Sequence, residues 1–228
     1  MALESHDRED RRARTSFPLM QIFDHKMDHP QAHLDLDERL LDIAEAKGHA
    51  FLRFWESPSY FVVLGRSNVA EAEVNLAACT KDQIPVLRRC SGGGTVLQGP
   101  GCLNYALVFP IDFAPQLATI SDTTQWIMAQ NAQAIRTQLP SIQVQGISDL
   151  TFNGLKFSGN AQRRKRNAVL FHGTFLLNFD LDKISQYLAM PTKQPEYRQN
   201  RPHREFCTNL PITPSQVKAA LEFWAKIQ

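Results

Sequence analysis

The residues best equipped for chemistry crowd into one stretch, Arg88-Arg89-Cys90-Ser91-Gly92-Gly93-Gly94-Thr95, which continues through Gly99 and Gly101 to Asn104-Tyr105. Five of the chain's eleven glycines fall between 88 and 105. Consecutive glycines let the backbone take positive φ, approach a ligand closely and turn its amide N–H groups toward an anion. Two arginines stand beside them. Ordering so many glycines costs entropy, so a run kept between two apolar segments points to a bound ligand, with an ordinary flexible hairpin loop as the alternative.

Two familiar phosphate loops do not fit. A Walker A loop needs Gly-Lys-[Ser/Thr] at its end, and here Gly99 is followed by Pro100. The dinucleotide fingerprint counted from Gly92 and Gly94 needs a third glycine at 97, which is Leu97. The run Arg-Arg-x-Ser-Gly-Gly-Gly-Thr-Val with Gly-x-Leu-Asn-Tyr after it instead resembles the ligand loop of the lipoate–protein ligases, in the superfamily shared with biotin–protein ligases and octanoyltransferases. The resemblance extends upstream through Leu52 to Glu56 and Val63 to Ser67. Downstream it takes in Asp149-Leu150, Gly154 to Gln162 and His172-Gly173-Thr174, and altogether it covers roughly 34–210.

That resemblance implies an enzyme that activates lipoate with ATP and Mg2+ to lipoyl-AMP, then passes the lipoyl group to a lysine of a lipoyl carrier protein or domain. Lys156 occupies the position of the family's essential lysine, whose ammonium would contact both the acyl carbonyl and the adenylate phosphate. By the same likeness Arg89, Ser91, the amides of Gly92, Gly93 and Gly94, Thr95 and Asn104 would cradle the adenylate. Asp149 matches an acidic residue near adenylate and metal, and by that likeness is the expected magnesium ligand. By the same likeness Ser158, Gly159 and Ala161 would line the adenylate site, Asn160 and Gln162 would offer amide groups to adenine or ribose, and His172, Gly173 and Thr174 would form the ligand-side strand. Arg163-Arg164-Lys165-Arg166 is read as a solvated loop, a phosphate flap or a docking patch.

Two departures stand out: Leu97-Gln98 replaces the aromatic–histidine pair of many relatives, and the chain ends at 228 without the C-terminal accessory domain of the longer ligases. A separate small accessory subunit is therefore a candidate partner. Two alternatives stay open. One is an octanoyl or lipoyl transferase working through a cysteine thioester without ATP, for which Cys90 and Cys102 flank the loop while Cys79 and Cys207 lie elsewhere. The other is a lipoyl-binding subunit that needs another chain for turnover.

The composition narrows the class. A net charge of +2 leaves no broad electrostatic footprint for nucleic acid. Four cysteines without a Cys-x-x-Cys pair argue against a zinc ribbon or redox dithiol and fit reduced thiols in the cytoplasm. No stretch approaches the roughly 20 apolar residues of a membrane span, and the mixed-charge N-terminus is not a secretory signal.

These residues must be carried by an α/β (α+β) domain, with mixed or mostly antiparallel sheets flanked by helices. The reading divides the chain into a flexible tail over 1–16 and a single catalytic domain over 17–228. A short strand is expected over 17–23, then a helix from Leu34 to Gly48 with Asp35, Asp37 and Glu38 on its solvated side. Two apolar runs at 51–55 and 60–64, split by Ser57-Pro58-Ser59, read as a hairpin. A short helix over 69–78 and a buried strand over 84–88 lead into the glycine loop, and a strand over 102–109 leaves it. The longest helix is expected over 121–139. Antiparallel strands with turns at Gly146, Asn153-Gly154, Gly159 and Gly173 fill 142–179. A helix over 180–190, an irregular segment over 191–204, and a helix over 214–227 with Thr213 as N-cap close the chain.

Overall fold

The computed structural model describes residues 20–226; the expected tail over 1–16 and the first residues of the strand at 17–23 lie outside them. Seven strands form the main sheet: β1 (Gln21–Asp24), β2 (Phe51–Trp55), β6 (Cys102–Pro110), β10 (Ala168–Leu176), β9 (Leu155–Arg164), β8 (Asp149–Phe152) and β7 (Ile142–Gln145), in that spatial order. Only β1 and β2 run parallel. A second sheet orders β4 (Val86–Arg88), β3 (Phe61–Leu64) and β5 (Val96–Gln98), with β4 parallel and β5 antiparallel to β3.

The central strand β6 is buried along its whole length because helices or a second layer cover both faces. On one face Leu103, Tyr105, Leu107 and Phe109 pack with Ile127, Met128 and Ile135 of α4 (Ile120–Arg136) and with Val217, Leu221 and Trp224 of α7 (Pro214–Lys226). On the other face Ala106 and Val108 meet Leu40, Leu41 and Ala44 of α1 (Pro30–Lys47). Alternate side chains of one strand thus serve two cores. α7 opens with a reciprocal cap: Thr213 N–H donates to Gln216 Oε1 at 2.9 Å, and Gln216 N–H donates to Thr213 Oγ1 at 3.3 Å.

The expected hairpin over 51–64 does not form. β2 lies between β1 and β6, whereas β3 pairs with β4 and β5, so Ser57-Pro58-Ser59 carries the chain from one sheet to the other. Both runs are buried throughout, and without polar alternation nothing in them fixes which partner they choose. β4 is a half-buried edge of three residues rather than a buried strand over 84–88. The glycine stretch is not one loop, since β5 interrupts it. The helix expected over 69–78 is two, α2 (Ala70–Glu73) and α3 (Leu76–Lys81). They part at Val74, which bridges to Leu188, and Asn75 caps the second by accepting from Ala78 N–H at 3.2 Å. Two short helices occupy the C-terminal third, α5 (Asp182–Tyr187) and α6 (His203–Phe206), the latter inside the segment expected to be irregular.

Between β8 and β9 the turn is Asn153-Gly154, with φ of 52° and 78°, the two-residue type that matches strand twist. From there the pairing slips. Thr151 opposes Lys156, but Leu150 opposes Ser158, so β9 carries one extra residue.

Candidate functional site

Register pairs set out one row of residues across five strands: Trp55 opposite Asn104, Asn104 opposite Thr174, Thr174 opposite Gly159, and Gly159 opposite Asp149. All five line a cavity of about 650 Å³, within the usual range for small-ligand sites. The facing wall includes Gly93, Gly94 and Thr95, and the segment from Gln194 to Cys207 contributes the rim.

Lys156 reaches this row because of the extra residue on β9. In a regular strand two residues three apart face opposite sides, yet Lys156 Nζ and Cε lie where a side chain on Gly159 would begin, 3.0 Å from an ideal Cβ. Glycine at 159 makes the room. Lys156 Nζ pairs with Asp149 Oδ1 at 2.7 Å, and the Tyr197 hydroxyl donates to Asp149 Oδ2 at 2.7 Å. Burial and the adjacent Asp149 push the Tyr197 phenol well above its ordinary range, so it stays a donor. Both carboxylate oxygens are therefore engaged.

The glycine loop is braced from within. Arg89 donates through Nε to Ser91 Oγ at 2.9 Å and through its terminal nitrogen to Gly92 O at 2.7 Å and Gly94 O at 2.8 Å. With the carbonyls held by the guanidinium, Gly93 takes φ of 87°. Burial lowers the Arg89 pKa to about 10. Arg88 donates to the carbonyls of Gly65, Arg66 and Asn68 at 2.8, 3.1 and 2.9 Å, tying down the turn that packs beneath the loop. Gly65 must be glycine there, since a Cβ would sit 2.2 Å from Gly93 O.

A second brace crosses the sheet. Ser91 Oγ lies 2.6 Å from His172 Nε2, His172 Nδ1 lies 3.0 Å from Asp37 Oδ2, and Asp37 Oδ1 pairs with Arg53 at 2.5 Å. The Asp37 carboxylate can only accept, so Nδ1–H donates to it, and in that tautomer of a neutral ring Nε2 accepts from the Ser91 hydroxyl. The order serine–histidine–aspartate is that of a nucleophile relay, but Ser91 is fully buried and does not line the cavity. Here it acts as a strut. Asp37, expected on the solvated side of its helix, is 2% exposed.

Of the residues predicted for the site, Arg89, Gly93, Gly94, Thr95, Asn104, Asp149, Lys156, Ser158, Gly159, Asn160, Ala161, His172, Gly173 and Thr174 contribute to the wall, and Ser91, Gly92 and Gln162 do not. The Gln162 amide donates to Ile120 O and Thr124 Oγ1 on α4. The Asn160 side chain is likewise spent on the helix side, accepting from Tyr105 OH at 2.6 Å and donating to Ser148 O at 2.8 Å. Within the basic run Arg164 donates to carbonyls of Leu117 and Ala118, and Lys165 pairs with Asp42. Sequence reasoning missed Tyr197 and Cys207, which come from segments without a readable motif, and read Gln98 only as a departure from the family's aromatic–histidine pair. It also missed Asp37, whose spacing from Leu34, Leu41 and Ala44 puts it on the buried stripe. Cys207 bridges to Lys156 in the strand sense and lines the cavity. Burial pushes its thiol up, against the pull of Lys156.

A seven-stranded, mostly antiparallel sheet roofed by a glycine loop is the class II biotin–lipoate ligase catalytic fold. A bipartite lipoate protein ligase, studied with its E2 lipoyl domain from Thermoplasma acidophilum, superimposes with a TM-score of 0.75 over 90% of this chain and 80% of that one, at 24% identity. A lipoate-protein ligase A bound with ATP gives 0.71 over 90% and 83%, also at 24% identity. The family model of the lipoyl protein ligase A/B catalytic domain matches residues 29–222, and the chain belongs to that family. The probable lipoate-protein ligase A of Mycoplasma pneumoniae is 29% identical over 207 residues, 87% of this chain and 59% of that protein. The chain spans about half the length of the curated relatives it matches.

Proposed function

We propose that this chain is the catalytic part of a lipoate–protein ligase, activating lipoate with Mg-ATP to lipoyl-AMP and passing the lipoyl group to one lysine of a lipoyl carrier protein or domain. The observation that carries the reading is the cavity itself, with the Lys156 ammonium on one wall and the amides at Gly93 and Gly94 on the other. Nothing lies within 4 Å of the Cβ position at Gly94, so a ligand can rest against its backbone.

In the first step a lipoate oxygen bonds to the α-phosphorus of ATP and the bond to pyrophosphate breaks. Negative charge grows on the α-phosphate, where a held ammonium and oriented amides stabilise it most. The ion pair with Asp149 keeps Lys156 aimed over Gly159. In the second step a neutral lysine amine attacks the acyl carbonyl, the bond to phosphate breaks, AMP leaves and the amine releases a proton to water. Among the described residues no group of three His, Cys, Asp or Glu side chains could hold a metal. Asp149 is the one carboxylate that would hold a magnesium brought in on ATP, sharing an oxygen already engaged by Lys156 or Tyr197. When bound, that ion neutralises phosphate charge.

On this reading residues 17–228 act as a single catalytic unit in the cytoplasm, with no nucleic-acid or membrane partner. Among the described residues no helix is long and apolar enough to cross a membrane. The bipartite Thermoplasma ligase supports an accessory subunit as a further partner. The test is the intact mass of a lipoyl domain after incubation with the protein, lipoate and Mg-ATP. A gain of one lipoyl group is expected; an unmodified domain, with no pyrophosphate released, refutes the reading. A thioester route has one observation in its favour, Cys207 beside Lys156. Transfer from an octanoyl carrier without ATP, lost in Cys207→Ser, would replace adenylation.

A further inference from the structure

Four buried polar atoms of cavity-lining residues have no protein partner among the described residues, Trp55 Nε1, Gln98 Oε1, Asn104 Nδ2 and Gln194 Oε1, and the middle two belong to one linked pair. The residues of that pair, Gln98 and Asn104, are 4% and 3% exposed. One hydroxyl joins them: Gln98 Nε2 donates to Thr174 Oγ1 at 2.6 Å, and that hydroxyl donates to Asn104 Oδ1 at 2.6 Å. A hydroxyl has a single proton, so the chain of three runs in one direction. Reversing it by flipping both amides changes which end is which, but still leaves one carbonyl and one NH2 group unspent. The pair therefore holds one unspent acceptor and one unspent donor just behind the cavity surface, within reach of a ligand once the side chains turn toward it.

A buried acceptor without a donor is costly, so the pair selects for what completes it. A dithiolane-bearing acyl chain offers no donor. A carboxylate or acyl phosphate offers acceptors alone and leaves the carbonyl unanswered. A secondary amide offers a C=O and an N–H side by side. Thr174 stands opposite Gly159, over which the Lys156 ammonium rests, so the pair adjoins the place where acyl transfer would occur.

We propose that Gln98, Thr174 and Asn104 form a subsite for the amide that joins the acyl group to the acceptor lysine. Asn104 Nδ2 donates to the acyl oxygen, and Gln98 Oε1 accepts an N–H of the attacking amine. As the N–C bond forms and the C–O bond to AMP breaks, the amine loses one proton to water and keeps another, so the contact to Gln98 persists into the product. The inference rests on the ligase reading and extends it to the second half-reaction.

Binding of N-methyl lipoamide and of methyl lipoate, which has the same shape without the N–H, tests this by calorimetry on the unaltered protein. The amide is expected to bind about tenfold more tightly, the worth of one hydrogen bond to a buried acceptor. Gln98→Met is expected to erase that difference. The same variant should slow transfer to a lipoyl domain roughly tenfold more than it slows lipoyl-AMP formation. Thr174→Val, cutting the chain at its middle, should weaken amide binding likewise. Equal binding of amide and ester overturns the subsite, as does a Gln98→Met variant slowed equally in both half-reactions. Tighter binding of biotin, whose ureido ring carries the same donor and acceptor, also overturns the amide assignment. A protein that prefers the amide yet makes no lipoyl-AMP loses the ligase reading alone; one that makes lipoyl-AMP without the preference loses the subsite alone.

Discussion

The two walls of the cavity handle their polar groups in opposite ways. On the loop side the cations are turned inward: Arg88 and Arg89 hold backbone carbonyls, and Ser91, His172, Asp37 and Arg53 brace one another across the sheet. On the other side, groups are left unspent, with Gln98 Oε1 and Asn104 Nδ2 lacking partners and the Lys156 side chain 29% exposed. One wall is a frame and the other a working surface. Damage to the first should appear in stability, and damage to the second in turnover.

The largest break expected is Asp37→Ala, which strands the fully buried Arg53 and should cost about 3–5 kcal/mol of unfolding free energy in denaturant melts. Lys156→Ala should leave the melt unchanged and lower lipoyl-AMP formation by roughly a hundred- to a thousandfold, measured as pyrophosphate release. The frame has its own pH signature. Burial and the neighbouring Arg53 lower the His33 pKa from 6.5 to about 4, so the folded protein holds His33 neutral while the unfolded chain protonates it. Stability should therefore fall as pH drops from 6.5 toward 4, by about 3 kcal/mol from this group, and a His33→Asn variant should show a flatter profile. Gly159→Ala sharpens the contrast, because the added methyl displaces only the flexible end of Lys156. The melt should hold while turnover drops on the order of ten- to a hundredfold. The smallest effect is Lys165→Ala, whose surface pair with Asp42 should be worth less than about 0.5 kcal/mol and nothing in turnover.

The working elements were readable in the sequence where chemistry imposes unusual residues. Three glycines beside two arginines marked the loop, Asn153-Gly154 marked the turn, and Lys156 stood at the family position. Their partners were not readable, because each is ordinary in its own segment. Asp37 sits among four other acidic residues between 35 and 45, and Tyr197 lies in a stretch without periodicity. The two apolar runs after α1 gave no sign that they belong to different sheets, since fully buried strands carry no alternation to assign them.

The extra residue on β9 has a consequence for how this scaffold changes over time. Loop tips absorb insertions, but here the count between turn and glycine decides which side of the sheet receives the ammonium. A regular strand of the same length, without the bulge, would place Lys156 and Gly159 on opposite faces and send that charge beneath the sheet, among the apolar side chains packed around Phe175. Deleting Phe157 would instead leave Lys156 and Gly159 two residues apart and on one face, so the bulge and the residue count compensate each other.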